Sequence, residues 1–306
     1  MISSVPAEQQ RIAAAAGSPA KRMIIAMVVI EGLLLVAALT ASFLIPDPTT
    51  SRVVLVGAAL ILALLSLAAM VKVIQMQRDE LSSLLIEQHE QHVHSRSAVI
   101  FGLAKLAESR DDDTGQHLER IRSYVAALLD VLAVDDPTLT PERISVIIET
   151  SSLHDIGKVG VPDSILLKPG PLTDDEFDII KRHTNIGGDT LFALKQQWEE
   201  NDFLATACAI AFAHHERWDG TGYPFKLEGD IIPFEARVVA LADVYDALTT
   251  KRVYKPAMSH DEASGIIRDG SGTHFDPAMV EAFERCEAEF ARIAEHMQER
   301  LEPSLA

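Results

Sequence analysis

Two nearly unbroken apolar runs, set almost back to back, constrain this chain more than any other feature. Residues 23–45 (MIIAMVVIEGLLLVAALTASFLI) hold one charge, Glu31, and residues 53–74 (VVLVGAALILALLSLAAMVKVI) hold one, Lys72. As helices, each reaches about 33–34 Å at ~1.5 Å per residue, the thickness of a bilayer's hydrocarbon core. Pro46-Asp47-Pro48-Thr49-Thr50-Ser51-Arg52 between them reads as a tight polar turn. A cleaved signal peptide would be shorter, would show a small-residue cleavage site and would not be followed by a second span. A two-helix membrane hairpin over 23–74 is therefore expected, preceded by a polar tail over 1–22.

Its orientation follows from the basic flanks. Arg11, Lys21 and Arg22 precede the first run, Lys72 and Arg78 close the second, and the turn offers only Arg52. The positive-inside rule places both ends of the hairpin in the cytoplasm, with no room outside for a sensor domain. Glu31 is costly at that depth; a carboxyl at a helix contact accounts for it, with a sensing role as the alternative. Residues 75–98 lack Gly and Pro and read as a helix leading the second span into the cytosol. Its apolar positions Ile74, Leu81, Leu84, Leu85 and Ile86 allow two copies to pair as a homodimer but set no heptad register. His89, His92 and His94 read as a solvated face rather than as ligands.

Charge separates the rest of the chain from this anchor. Residues 1–98 carry seven basic and seven acidic side chains, so the whole formal charge of −18 falls on 99–306. Such a surface repels DNA and RNA. A small anionic substrate stays compatible with it, because bound divalent ions reverse the local field. The two cysteines, Cys208 and Cys286, point to a reducing compartment and no disulfide framework.

Residues 99–306 show helical periodicity over Ile100–Glu108, Leu118–Leu132 and Glu142–Leu153, and no sustained strand alternation. Ser259-x-x-Glu262 is a capping box, and Asp276-Pro277 reads as an N-cap followed by proline at the first helical position. The expected fold class is all-α. Eight of the eleven histidines lie in this region. Five occupy patterned segments: His117, His154 in His154-Asp155-Ile156-Gly157-Lys158, His183, and the pair His214-His215, followed by Asp243. Taken singly, His183 or His260 reads as structural. Together the five histidines and two aspartates read as a metal site in the core of a helical bundle.

Neighbouring side chains on a helix diverge by about 100°, so His154 and Asp155 cannot chelate one ion side by side. If the helix ends or bends there, as Gly157 suggests, both face one cleft, and Asp155 can bridge two ions while His154 binds one. His214-His215 poses the same problem and admits the same answer. Two ions roughly 3.5–4 Å apart suit phosphodiester hydrolysis by an activated water.

The His154–Lys158 motif, with His214-His215-Glu216-Arg217-Trp218-Asp219-Gly220-Thr221-Gly222-Tyr223-Pro224, resembles the HD-GYP family, a branch of the HD metal-dependent phosphohydrolases. The likeness runs from about Ile100 to Phe283 and includes Lys168-Pro169-Gly170, Ile232–Arg237 and Phe275-Asp276-Pro277. It implies a bacterial phosphodiesterase that opens cyclic di-GMP to linear pGpG, in many members on to GMP, using iron or manganese; the hairpin would hold it in the inner membrane. It implies that His117, His154, Asp155, His183, His214, His215 and Asp243 are ligands, with Asp155 bridging. Lys158 would sit by the scissile phosphate as a catalytic cation and proton donor. Tyr223 would contact substrate, and Arg252 and Lys255 would grip phosphate.

Two positions depart from the family pattern. Some members bind a third ion through a Glu four residues before the first ligand histidine, where this chain has the shorter Asp113; a two-ion site is expected. Val253 replaces a proline between Arg252 and Tyr254. The expected organisation is thus a tail (1–22), a hairpin (23–74), a linker helix (75–98) and a catalytic domain (99–306). The rival readings are hydrolysis of another cyclic dinucleotide or nucleotide, and a cyclic di-GMP receptor without turnover.

Overall fold

The computed structural model describes residues 19–110, 116–197, 202–250 and 257–299. Among them are ten α-helices, two 3-10 helices and no β-strand, so the all-α expectation holds. In chain order the α-helices are α1 (Pro19–Leu44), α2 (Pro48–Glu108), α3 (His117–Leu132), α4 (Pro141–Ser151) and α5 (Asp163–Leu166). They continue with α6 (Asp174–Gln197), α7 (Asp202–Ala213), α8 (Phe234–Thr249), α9 (His260–Asp269) and α10 (Pro277–Glu299). The 3-10 helices cover Ile156–Gly160 and Gly229–Ile231. The chain divides into two compact units, residues 1–94 and 95–306.

In the first unit the turn is shorter than the sequence suggests. Helix α2 begins at Pro48, because Asp47 caps it: its carboxylate accepts the amides of Thr49 (3.3 Å) and Thr50 (2.9 Å). Proline at the first helical position loses no needed donor. Apolar side chains such as Ile25, Val29, Leu33 and Leu64 stand exposed. Both helices are long and apolar enough to cross a membrane. Glu31 accepts a hydrogen bond from the Ser66 hydroxyl of the opposing helix, so its carboxyl lies at a helix contact. Nor is there a break between second run, linker and Ile100–Glu108; all belong to the 61-residue α2.

The second unit packs two large apolar clusters and a small third one of Ala213, Ile232 and Ala236. Helix α3 buries Leu118, Ile121, Tyr124, Val125, Leu128 and Leu129, three or four residues apart, as its periodicity requires. Tyr124 stacks on Phe290 of α10 at 4.6 Å, and Tyr245 of α8 meets the same ring edge-on at 5.0 Å. A second cluster joins Leu118, Leu153, Leu191, Phe203, Ala207 and Ala211 from α3, the turn after α4, α6 and α7. The expected caps are present: Ser259 and Glu262 form the capping box, and Asp276 accepts the Ala278 amide at 2.8 Å. His117, His154, His183 and His214 are buried among these packed elements.

Candidate metal centre

The backbone at His154-Asp155 explains how neighbouring residues share one site. Helix α4 stops at Ser151, and Asp155 takes φ −102°, ψ 10°, outside helical geometry, before the 3-10 turn Ile156–Gly160. Gly157 lets α6 close against this turn: a Cβ there would stand 1.9 Å from the carbonyl oxygen of His183 and 2.5 Å from the Gly187 nitrogen. Only glycine allows that approach. It brings His183 to Asp155, with Nε2 and Oδ1 3.1 Å apart.

Four buried imidazoles are oriented alike. Nδ1 of His154 lies 2.9 Å from the Ser151 carbonyl oxygen, Nδ1 of His183 2.7 Å from that of Ile180, and Nδ1 of His214 3.0 Å from that of Ile210. Nδ1 of His117 lies 2.7 Å from Oδ2 of Asp246. Each acceptor calls for the hydrogen on Nδ1, so that in the neutral ring Nε2 carries the free lone pair. All four Nε2 atoms point inward: those of His117 and His154 lie 3.4 Å apart, and those of His183 and His214 3.5 Å. Facing lone pairs at such distances repel unless a proton or a metal ion sits between them. This donor chemistry fits divalent metal.

The donors form two sets that share Asp155. Asp155, His183, His214 and His215 make one; Glu108, His117, His154 and Asp155 make the other, with donor atoms in each within 4.8 Å of one another. Oδ1 of Asp155 faces the first set, 3.6 Å from Nε2 of His214, and Oδ2 faces the second, 3.3 Å from Nε2 of His154. Asp243 of α8 joins the second set, its Oδ1 3.8 Å from His117 and 3.9 Å from His154. Nζ of Lys158 lies 2.8 Å from Oδ2 of Asp155.

The protonation preferences divide along the same line. Burial holds His214 and His215 below the usual imidazole range, so both stay neutral near pH 7, as ligands must. Burial also works against charge on His154, but Asp155, Asp243 and Glu108 outweigh it and lift its pKa to about 10. The carboxylates of the second set thus favour positive charge among them, as a proton on His154 or as a bound metal ion.

Tyr223 covers the first set, its ring 4.8 Å from that of His215 at an interplanar angle of 33°. Its loop is held from within: Glu216 accepts the amides of Phe225 (2.7 Å) and Leu227 (3.1 Å). Gly222 permits the close return of the chain, since a Cβ would stand 2.3 Å from the Arg217 nitrogen. Burial raises the Tyr223 phenol above its usual range, so it stays protonated.

The structure therefore brings together His117, His154, Asp155, Lys158, His183, His214, His215, Tyr223 and Asp243. Asp113, Arg252 and Lys255 lie outside the described residues. Two participants escaped sequence reasoning. Glu108 reads as one more solvated acid at a helix end, and Asp246 as a helical carboxylate; only their burial, at 5% and 1% exposure, marks them. The Asp243-x-x-Asp246 spacing, one helical turn, was the available signal for the second.

A helical bundle that gathers a His-Asp pair with further histidines and an aspartate from separate helices defines an HD-type domain. The HD domain family model matches residues 85–279, well over half of the chain, and the chain belongs to that family. A cyclic di-GMP phosphodiesterase of Vibrio cholerae is 51% identical over 67% of this chain and 42% of its own length. The cyclic di-GMP phosphodiesterase response regulator RpfG of Xanthomonas campestris is 41% identical over 68% and 51%. A 3'3'-cGAMP-specific phosphodiesterase 2 of V. cholerae is 38% identical over 60% and 33%. The chain spans about half the length, or less, of these curated relatives.

Proposed function

We propose that the chain is a membrane-anchored, metal-dependent phosphodiesterase that hydrolyses cyclic di-GMP to linear pGpG. The observation that carries this reading is the split carboxylate of Asp155, whose two oxygens face two sets of imidazoles with inward-pointing Nε2 atoms. A bound pair of divalent ions, iron or manganese, supplies Lewis acidity and an activated water there. The named relatives at 41–51% identity support the substrate.

The protein's own groups divide the remaining work. His117, His154, Asp155 and Asp243 hold one ion, and Asp155, His183, His214 and His215 the other. Lys158, beside the bridging carboxylate, attends the scissile phosphate as a cation and gives a proton to the leaving oxygen. The protonated Tyr223 donates to substrate from the loop over His215. Arg252 and Lys255 take the second phosphate of the cyclic dinucleotide. The exposed apolar helices of residues 23–74 hold the enzyme in the inner membrane, with both ends of the hairpin and domain 99–306 on the cytoplasmic side.

A second reading, a different cyclic dinucleotide, is favoured by the 3'3'-cGAMP-specific relative. Both are tested with the full chain purified in detergent without oxygen and supplied with ferrous iron or manganese. Cyclic di-GMP, 3'3'-cGAMP and linear dinucleotides are compared as substrates. Turnover of cyclic di-GMP, lost in a His154→Ala/Asp155→Ala double variant, is expected. Near-wild-type turnover by that variant overturns the site. Tight binding without turnover by the wild type makes the protein a receptor instead.

A further inference from the structure

The carboxylate of Glu108 is buried, and neither of its oxygens has a hydrogen-bond partner among the described residues. Its Oε1 lies 3.7 Å from Nε2 of His117, too far for a hydrogen bond, and the group sits within the His117, His154 and Asp155 donor set. A carboxylate stripped of water and of donors is costly. Protonation alone does not relieve it, because a buried hydroxyl would then lack an acceptor. A cation among these donors does: it supplies the charge that the Glu108 oxygens lack.

We propose that Glu108 is a direct metal ligand, and that it makes the two halves of the centre chemically unequal. This rests on the metal-centre reading above. One half has three imidazoles and a single carboxylate, Asp155. The other has two imidazoles, His117 and His154, and three carboxylates, Glu108, Asp155 and Asp243. Carboxylate oxygens suit harder cations such as Mn2+, whereas an imidazole-rich set suits later transition metals. The Glu108 half is the stronger Mn2+ site and the His183 half the weaker. This assignment is separate from the third-ion position at Asp113, since Glu108 acts on the His117–His154 ion itself.

The test uses the full chain in detergent, stripped with a chelator and titrated with Mn2+ under paramagnetic resonance detection. Wild-type protein is expected to show a tight and a weaker site. Glu108→Gln, equal in size, should weaken the tight site at least tenfold and leave the weaker one in place, and Glu108→Asp should fall between. Thermal unfolding supplies a second readout. Without metal, Glu108→Gln should melt above wild type, because an uncompensated buried charge has gone; with Mn2+ it should melt below. A purely structural Glu108 would lower both melting points. Unchanged Mn2+ affinity in Glu108→Gln, or a melting point lowered equally with and without metal, overturns the proposal. Wild-type protein that binds no Mn2+ overturns the metal-centre reading and this one with it, whereas tight Mn2+ binding indifferent to residue 108 overturns only this one.

Discussion

Nδ1 of His117 donates to Oδ2 of Asp246 at 2.7 Å, and the same carboxylate accepts Nε and Nη2 of Arg120 at 2.6 and 2.9 Å. All three side chains are buried. Burial by itself would push the Asp246 carboxyl up, but the hydrogen bonds from Arg120 and His117 outweigh it and hold the group ionised. The pairing fixes the imidazole tautomer and raises the basicity of Nε2, which faces the donor set. Arg120 in turn fixes the carboxylate.

Asp246→Asn should therefore weaken metal binding on the His117 side by about 10–100-fold while sparing the His183 side. Asp246→Ala should also take from the buried Arg120 its bidentate carboxylate partner and cost about 3–5 kcal/mol of stability. Metal titration and denaturant unfolding of the two variants separate these effects. A metal affinity equal to wild type in Asp246→Asn would show that the carboxylate has no part in orienting His117.

Gly157→Ala forces a Cβ into the His183 carbonyl oxygen, 1.9 Å away, and toward the Gly187 nitrogen. Helix α6 must retreat, and His183 retreats with it from Asp155. A displacement near 1 Å costs roughly 100-fold in rate at a positioned site, and the strain adds about 1–3 kcal/mol of destabilisation. Steady-state turnover and thermal unfolding report the two losses separately. Full activity in this variant would mean that α6 adapts without moving its ligand.

His274 makes stability depend on pH away from the donor sets. Its ring stacks on Phe275 at 4.3 Å, and burial, with help from Arg217 and against Asp219 and Asp243, lowers its pKa to about 4. The unfolded chain titrates near 6.5. Between these values the unfolded state takes up a proton that the folded state refuses, so stability is full above about pH 6.5 and falls as pH drops toward 4. Melting curves from pH 7 to 5 should show this decline, and His274→Phe should flatten it. An unchanged slope in that variant would assign the acid sensitivity to other groups.

Much of this molecule is written in local pattern. The apolar runs, the period of α3, the capping box at Ser259 and the proline start of α10 are properties of a few consecutive residues, so a reader of the sequence meets them directly. The His-Asp set was legible for another reason: each member sits in a short patterned segment, and the segments recur in order. Even the break at Gly157 could be anticipated. Its magnitude could not, because the carbonyl that excludes a side chain there belongs to His183, 26 positions away.

Tertiary packing alone decided which acids count. Residues 99–306 hold 38 acidic side chains, and nothing local distinguishes Glu108 from its neighbours or Asp246 from a solvated helical aspartate. Their roles come from desolvation. Packing beside α3 removes Glu108 from water and from every donor among the described residues, and contact between α3 and α8 locks Asp246 against His117 and Arg120. Periodicity records which face of a helix is apolar; it carries no record of which polar group the next helix will seal in.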